Sequence, residues 1–537
     1  MMTSLLHAQS FESATDAVKN MGVGWNLGNT LDANDATKTW TTTAQHETYW
    51  GQPVTKPELM TMMKEAGFGA IRVPVTWYQE IDANGKINDA WMKRVKEVVD
   101  YVLDNGMYCI LNVHHDTGAD SNTFKSWLKA SVANYTSNKD KFEYIWKQIA
   151  ETFKDYDQHL LFEAYNEMLD EKNTWNEPVN KTDGYAAINN YAKSFVTTVR
   201  ATGGNNINRN LVVNTYSASS TPNAMENLDK PENSNHIIFQ IHSYPNWQNK
   251  SNAKNEIDNL ISNIKAKLID RAPVIIGEYA TFTTWPSDID YYATDKEVAL
   301  YAMDYLVKNA KKNGIGTFYW MGLSDGANRT LPAFNQADLA ETIIKAYHGD
   351  SYSGRFPTPE DFQIVYIVKY EQNWSELFLY GDWSKTTTLK LSEYKGIRVE
   401  MDDDSYAGKL QVKLYGKSDG QEAYIPLSGT VTTVNFENSR ASIGNEIPMI
   451  TLQTTIGALT AKVKKVTLIK TDGTEVPANV TAAWGCSVTT ESSPITGIHP
   501  ILTKTPADHA IYNLQGQRVT NPQKGIYIQN GKKYILK

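Results

Sequence analysis

Residues 95–116 read Val95-Lys-Glu-Val-Val-Asp-Tyr-Val-Leu-Asp-Asn-Gly-Met-Tyr-Cys-Ile-Leu-Asn-Val-His-His-Asp116 and contain one unit of the pattern from which the fold is predicted. Valines recur three and four residues apart in its first half, as on one face of an α-helix, and Gly106 supplies a helix stop. The second half contains a short apolar run, Tyr108–Val113, with the length of a buried β-strand. Polar residues follow at once. The stretch therefore predicts a helix, a buried strand and a polar strand end, in that order.

The alternation of helix and strand patterns continues from about residue 20 to residue 348. Helical spacing recurs around Leu59–Ala66 and Phe142–Ile149. Eight short β-type runs are candidates for strands: Val23–Leu27, Ala70–Pro74, Tyr108–Val113, Leu160–Ala164, Leu211–Asn214, Ile237–Ile241, Pro273–Ile276 and Thr317–Trp320. Such alternation implies a parallel sheet, and eight repeats are the number that closes a barrel. We therefore predict the α/β class, with a (β/α)₈ TIM barrel over residues 15–350.

A doubly wound open sheet is the alternative architecture for the same alternation. That fold would carry a glycine-rich phosphate loop after its first strand, and none follows Val23–Leu27. The closed barrel is therefore the favoured prediction.

The pattern changes after residue 348. Between Asp361 and about Val488 only strand patterns occur, separated by Gly, Asn and Asp turns, which predicts an all-β, sandwich-like domain over residues 356–490. Its Trp374, Phe378, Tyr380 and Trp383 are either a platform for sugar rings or part of the core. Residues 491–537 predict a linker and a short β-type C-terminal tail.

Composition excludes some classes of function. The chain has 537 residues and a net charge of −8, and an acidic chain is a poor partner for nucleic acid. No apolar run is long enough to span a bilayer. The two cysteines, Cys109 and Cys486, belong to no Cys/His cluster with metal-site spacing, so we predict no metal and no cofactor. The 14 Trp and 30 Tyr exceed the needs of a core and favour contact with the apolar faces of sugar rings.

The first residues, Met1-Met-Thr-Ser-Leu-Leu-His-Ala-Gln9, are too short for a signal peptide but are similar to the end of one. We expect a longer leader in the natural protein, a secreted or cell-surface location, and a monomer.

Active sites of (β/α)₈ barrels lie at the C-terminal ends of the strands. Polar and aromatic residues stand at or just after most of the predicted strand ends: Asn29, Arg72, His114, His115, Asn166, Glu167, His242, Tyr244, Glu278 and Trp320. Their convergence on one mouth of the barrel is hard to explain by stability alone.

Two carboxylates in this set define a chemistry. Cleavage of a glycosidic bond needs one carboxyl group to protonate the leaving oxygen and a second to attack or to activate water. Strands four and seven lie across the mouth, so Glu167 and Glu278 can face each other. A separation of about 5 Å would make the mechanism retaining, through a covalent glycosyl-enzyme.

The other residues suit supporting roles. Arg72 and Tyr244 can orient and hold a glutamate ionised, His114 and Asn166 can hold sugar hydroxyls, and Trp320 can form a floor for a ring. Structural roles are the alternatives: Arg72 can pair with a carboxylate inside the barrel, the histidines can be satisfied in the core, and Glu278 can be a neighbour of a helix N-terminus. Metal binding by His114 and His115 together is disfavoured, because adjacent strand residues point to opposite faces.

The chain resembles glycoside hydrolase family five, in its endoglucanase-like branch. The motifs that carry the resemblance stand in family order over residues 15–348: Gly24-Trp-Asn-Leu-Gly-Asn-Thr-Leu-Asp-Ala, Trp50-Gly-Gln-Pro, Ile71-Arg-Val-Pro-Val-Thr-Trp, Asn112-Val-His-His-Asp, Phe162-Glu-Ala-Tyr-Asn-Glu, Ile241-His-Ser-Tyr, Ile276-Gly-Glu-Tyr and Phe318-Tyr-Trp. The resemblance implies Glu167 as acid/base and Glu278 as nucleophile, with Arg72, His114, Asn166, His242, Tyr244 and Trp320 in support. Where the family commonly reads Asn-Glu-Pro, this chain reads Asn166-Glu167-Met168.

The same resemblance implies a β-1,4-glucan substrate: cellulose, mixed-linkage glucan or xyloglucan. A β-mannanase on the same fold is the alternative enzyme, and a non-catalytic glycan-binding protein is the alternative class. Trp77, Trp175 and Trp247 follow strands and predict a long open cleft with internal cleavage. Residues 356–490 weakly resemble a carbohydrate-binding module, and the last segment resembles C-terminal tails of secreted Bacteroidetes proteins.

Overall fold

The computed structural model describes residues 11–244, 247, 249–283, 289–478 and 480–494, together with four short strands between 511 and 536. The chain divides into two compact units, 1–359 and 360–537. Each unit is described by itself.

The first unit contains a closed barrel of eight parallel strands. The strands are β1 (Val23–Asn26), β2 (Ala70–Val73), β3 (Tyr108–Asn112), β4 (Leu160–Glu163), β5 (Leu211–Asn214), β6 (Ile237–Ser243), β7 (Val274–Tyr279) and β8 (Gly316–Trp320). Each pairs in parallel with its neighbours in chain order, and β8 closes the barrel onto β1. The predicted fold class is confirmed. β6 and β7 run further than predicted, so that His242 and Glu278 lie inside strands.

Helices surround the barrel and fill the connections between strands. They are α1 (Ala14–Met21), α2 (Thr43–Glu47), α3 (Pro57–Ala66), α4 (Asp89–Asp104), α5 (Val132–Thr152), α6 (Lys181–Ala201), α7 (Pro222–Glu226), α8 (Lys250–Lys267), α9 (Tyr291–Thr294), α10 (Lys296–Lys312) and α11 (Ala337–His348). In α4 the predicted apolar stripe is buried, and the side chain of Asn88 caps the start by accepting a hydrogen bond from the backbone N–H of Ala90. Gly106, at a positive φ of 65°, turns the chain into β3.

The barrel interior is apolar at one end and polar at the other. A cluster of buried apolar residues fills the N-terminal end, and Ala14, Val18 and Met21 of α1 pack onto it. At the C-terminal end the buried interior residues are polar or charged: Asn26, Arg72, Asn112, Glu163, Asn214, Gln240 and Glu278. Charges without water must be paired inside the protein, so this end depends on an internal network.

The second unit is a β-sandwich around one apolar core. Its strands are β9 (Phe362–Tyr370), β10 (Glu376–Tyr380), β11 (Leu389–Lys390), β12 (Tyr394–Met401), β13 (Leu410–Tyr415), β14 (Glu422–Pro426), β15 (Val431–Asn435), β16 (Glu446–Ile447), β17 (Met449–Thr454), β18 (Leu459–Lys470), β19 (Glu475–Pro477), β20 (Thr481–Ala482) and β21 (Cys486–Pro494), and α12 (Arg440–Ile443) lies between β15 and β16. One sheet has the order β15-β12-β18-β9-β21, with β19 paired to β18. The other has the order β14-β13-β17-β10-β20.

The C-terminal tail adds a four-stranded sheet formed by Ile511–Tyr512, Arg518–Val519, Gly525–Gln529 and Lys532–Leu536. In the part of the chain that the structure describes, no helix is both long and apolar enough to cross a bilayer.

Candidate active site

A cavity of about 810 Å³ lies where the barrel strands end. Eight of the ten predicted site residues line it: His114, His115, Asn166, Glu167, His242, Tyr244, Glu278 and Trp320. Arg72 is fully buried among them and bonds to two of the eight. Asn29 is not among the described lining residues. Its backbone N–H donates to Asp32 from a left-handed conformation, with φ of 59°.

The Arg72 guanidinium is the centre of the site, and all five of its N–H groups have partners. Nε and Nη2 donate to the two oxygens of Glu163, at 2.6 and 2.8 Å. Nη1 donates to Glu278 Oε1 at 2.7 Å and to Asn26 Oδ1 at 2.9 Å, and Nη2 also donates to Asn166 Oδ1 at 2.7 Å. One cation therefore fixes side chains from β1, β4, β7 and the loop after β4.

Glu278 receives hydrogen bonds on both carboxylate oxygens. Besides the bond from Arg72, Glu278 Oε2 accepts the Tyr244 hydroxyl at 2.6 Å. Burial raises the pKa of Glu278 above its ordinary value, while Arg72 and the Tyr244 hydroxyl act to lower it. Burial also raises the pKa of Tyr244 well above its ordinary value, so Tyr244 remains a donor at neutral pH. These donors aim Glu278 and favour its ionised form.

Glu167 faces Glu278 in a different environment. One oxygen of Glu167, one oxygen of Glu278 and one nitrogen of His242 all lie within 4.8 Å of one another. His242 Nδ1 is 2.8 Å from Glu167 Oε1. Burial raises the pKa of Glu167 to about 7, with Arg72 lowering it and Glu163 raising it. Near neutral pH, Glu167 can therefore be protonated while Glu278 accepts from two donors.

The histidines of the site are neutral at physiological pH. Burial lowers the pKa of His242 to about 4 and that of His114 well below its ordinary value. Asn112 Oδ1 accepts the backbone N–H of Val75, so Asn112 Nδ2 is the atom that donates to His114 Nδ1, at 3.0 Å. His114 therefore carries its proton on Nε2, 4.0 Å from Glu278 Oε1, where it can donate to a ligand hydroxyl.

The geometry of His114 and His115 corrects one argument from the sequence. Their rings lie 4.4 Å apart and both face the cavity, because β3 ends at Asn112 and strand alternation no longer applies. Ligand atoms of Asp32, His114 and His115 lie within 4.8 Å of one another. Both Asp32 oxygens already accept backbone N–H groups, from Asn29 and Thr30, so we assign this cluster to hydrogen bonding.

Trp320 is half-buried at the end of β8, and its ring lies parallel to His114 at 5.8 Å between centroids. Gly28 makes this position possible, because a Cβ there would come within 2.8 Å of the indole.

The sequence interpretation missed several residues of the site. Glu163 is the main partner of Arg72 and is fully buried, and Arg72 outweighs burial to hold its pKa below the ordinary value. A charged residue inside the apolar run Leu160–Glu163 was the available signal, because a buried charge needs a partner. The loop after β5 also lines the cavity with residues 217–220, where Ser217 and Ala218 both have positive φ.

The three tryptophans expected along the cleft differ in position and exposure. Trp175 is 49% exposed and lines the cavity. Trp77 and Trp247 are buried in the core, so their assignment to a cleft was wrong. Trp77 is held by the bond from its indole N–H to the Asn112 carbonyl.

A (β/α)₈ barrel with two facing carboxyl groups, a buried arginine and a tryptophan at the strand ends is the arrangement expected of a glycoside hydrolase. Residues 31–325 match the family model for cellulase, glycosyl hydrolase family 5. The chain belongs to glycoside hydrolase family 5 and is an endoglucanase-like enzyme.

Known endoglucanases and family 5 enzymes are similar to about two thirds of the chain. Endoglucanase A of Clostridium longisporum is 33% identical over 369 residues, covering 64% of this chain and 67% of that protein. The structure of a GH5-4 broad specificity endoglucanase from an uncultured bacterium is 57% identical, with a TM-score of 0.63 over 64% of this chain and 98% of that one. A family 5 enzyme of Prevotella bryantii B14, solved as a mutant with the xyloglucan tetradecasaccharide XXXGXXXG, is 44% identical, with a TM-score of 0.60 over 64% and 100%.

We expect Arg72→Met to lower the free energy of unfolding by about 3–5 kcal/mol, because Glu163 and Glu278 would be left buried without their cation. Removing Arg72 should also raise the pKa of Glu278, so that any remaining activity is lost at a higher pH as the solution is acidified. Urea unfolding and a pH profile measure the two effects. Arg355→Met, which breaks an exposed pair with Glu65, is the control and should change stability by under about 1 kcal/mol. Equal stability of the two variants would contradict the role of Arg72.

Proposed function

We propose that the protein hydrolyses internal β-1,4 bonds of glucans with retention of anomeric configuration. Glu167 acts as the general acid/base and Glu278 as the nucleophile. The observation that carries the proposal is the approach of a Glu167 oxygen to within 4.8 Å of a Glu278 oxygen. Inverting enzymes hold their carboxyl groups about 6.5–9.5 Å apart to admit a water molecule, whereas about 5–5.5 Å suits direct attack.

In the first step, Glu278 attacks the anomeric carbon and the bond to the leaving oxygen breaks, with Glu167 donating its proton to that oxygen. A pKa of about 7 keeps this proton available near neutral pH. In the second step, the ionised Glu167 removes a proton from water, the resulting hydroxide attacks the anomeric carbon, and Glu278 departs as a carboxylate.

The cavity suits a chain of neutral sugar rings. His114 Nε2–H and the Asn166 amide are placed to bind hydroxyl groups, and Trp320 offers an apolar face to a ring. The relatives support glucan as the polymer, since one is named a broad specificity endoglucanase and another was solved with xyloglucan. We propose xyloglucan and mixed-linkage glucan, with cellulose, as substrates. These polysaccharides are too large to enter a cell, so we also propose that the enzyme acts outside the cell.

We expect Glu167→Ala to lower kcat about 10²–10⁴-fold, and Glu278→Ala to lower it at least as much. Azide should rescue both variants on an aryl β-glycoside and give opposite products. It should replace water in the Glu167 variant and yield the β-azide, and replace the nucleophile in the Glu278 variant and yield the α-azide. Proton NMR of the products measures the outcome. Glu151→Ala, at a half-exposed carboxylate, is the control and should keep full activity. Near-normal turnover in either active-site variant would remove that residue from its role.

We expect kcat/KM on a β-glucan oligosaccharide to fall on both sides of a pH optimum. The acid form of Glu167 is present below its pKa and is lost as pH rises through about 7, which gives the alkaline limb. The ionised form of Glu278 is lost as pH falls, and because burial raises the pKa of Glu278, this acid limb lies at a higher pH than an ordinary glutamate would give. An activated aryl leaving group departs without being protonated. For such a substrate, kcat/KM should therefore fall less as pH rises through about 7. Identical alkaline limbs for both substrates would argue against Glu167 as the acid.

We expect viscosity of a soluble β-glucan to fall faster than reducing ends accumulate, because a cavity lined by the half-exposed Trp175 admits the middle of a chain. The measurement follows both quantities on xyloglucan, mixed-linkage glucan, carboxymethyl cellulose and mannan. Release of mono- or disaccharides with viscosity preserved would refute internal cleavage. Faster cleavage of mannan than of the three glucans would show that the enzyme is a mannanase and not a glucanase.

A further inference from the structure

A second cavity, of about 540 Å³, lies on the outer face of the sheet β14-β13-β17-β10-β20 in the second unit. Residues of β13 alternate, so that Leu410, Val412 and Leu414 enter the core while Gln411 faces outward. The cavity is lined by Trp374, Gln411, Tyr424, Gln453 and Thr455. All five side chains are neutral, and two of them are exposed aromatic rings.

Trp374 occupies an unfavourable position for a residue with no ligand. Its side chain is 51% exposed, so much of its apolar surface remains in water. Its backbone has φ of 68°, in the left-handed region that is unfavourable for a residue with a Cβ atom. Neither burial nor backbone geometry explains an indole here, and such strain is typical of binding sites.

A buried hydrogen-bond chain fixes the direction of the amides in the cavity. Glu376, at the start of β10, accepts the Tyr415 hydroxyl and Gln453 Nε2, the latter at 2.7 Å. Gln453 Oε1 must then face Gln411, whose Nε2 donates to it at 2.7 Å. Gln411 and Gln453 are 7% and 4% exposed. Among the described residues no group donates to the Gln411 carbonyl oxygen, which is left as an acceptor on the cavity wall.

The charge on this surface is balanced. Lys413 Nζ lies 3.2 Å from Glu422 and 3.6 Å from Glu376, so its charge is compensated within the sheet. An anion would find no free cation among the lining residues. Exposed aromatic faces beside oriented amides match a neutral ligand with apolar C–H faces and hydroxyl edges.

We propose that this cavity is a second glycan-binding site, which takes a short segment of a neutral polysaccharide chain between Trp374 and Tyr424. The choice of β-glucan as ligand rests on the proposed function of the barrel. Of the four aromatic residues singled out in the sequence, only Trp374 is assigned to the site. Phe378 is buried, Tyr380 packs against the core, and Trp383 lies against Phe378 and Tyr415.

The test uses the full chain with Glu278→Ala in every sample, so that no polymer is cut. Trp374→Gly is the main variant, because glycine accepts a φ of 68° and the change should not destabilise the fold. Gln411→Ala is the second variant. Trp484→Ala is the matched control, because Trp484 is 50% exposed in the same unit but does not line the cavity. Affinity electrophoresis in gels containing xyloglucan, mixed-linkage glucan or mannan measures the dissociation constants, and thermal unfolding checks the fold.

We expect Trp374→Gly to weaken binding to at least one polymer by about fivefold or more, with an unchanged or higher melting temperature and with Trp484→Ala behaving as the parent. Equal affinities of the Trp374 and Trp484 variants for all three polymers would overturn the proposal, and would leave a protein surface as the other use of the exposed rings. Turnover of a short oligosaccharide by the chain with intact Glu278 reports separately on the barrel. Failure of that turnover alone would refute the proposed function and not the second site.

Discussion

The structure of the barrel mouth depends on one buried cation. Arg72 stands between two carboxylates, Glu163 and Glu278. Arg72 and Glu163 have no exposed surface, and Glu278 keeps only 3% of its surface exposed, at the cavity. Each charge would be costly alone, and the fork geometry of the guanidinium satisfies both acids and two amides at once. The position of Glu278 is therefore fixed before any substrate arrives.

The same arrangement gives the two facing carboxyl groups, Glu167 and Glu278, different protonation properties. Glu278 touches a cation and a phenol, both of which favour the ionised form. The nearest polar partner of Glu167 is the neutral His242, so burial dominates and its pKa rises to about 7. Two chemically identical groups within 4.8 Å thus acquire different protonation states from their surroundings alone.

The amino-acid sequence predicted the helices and strands, whose apolar residues recur at short intervals, and the residues that stand at the ends of barrel strands. Each of the eight strands was visible as an apolar run, and a strand end reliably places Glu278 at the mouth. Burial beyond the strand ends was less predictable, because it depends on contacts between loops distant in sequence. Trp77 and Trp175 both follow strands, yet one is enclosed and the other is half exposed. Glu163 was overlooked because its partner lies 91 residues away.

In both units a buried glutamate orients a neighbouring side-chain amide. In the barrel, Glu163 accepts from Asn112 Nδ2, and that amide also donates to His114 Nδ1, which places the free proton of His114 at the cavity. In the sandwich, Glu376 accepts from Gln453, which orients Gln411. A buried carboxylate can only accept hydrogen bonds, so the amide beside it must turn its NH₂ group toward the carboxylate. The orientation of that amide then determines whether the next side chain donates or accepts. Each series of hydrogen bonds ends on a neutral polar group at a cavity wall. This group is His114, in the cavity with Trp320, in the barrel, and Gln411, in the cavity with Trp374, in the sandwich. Neutral groups of fixed direction beside an aromatic face suit the sugar that we propose for each cavity. The buried acids Glu163 and Glu376 set this direction without lining the cavity themselves.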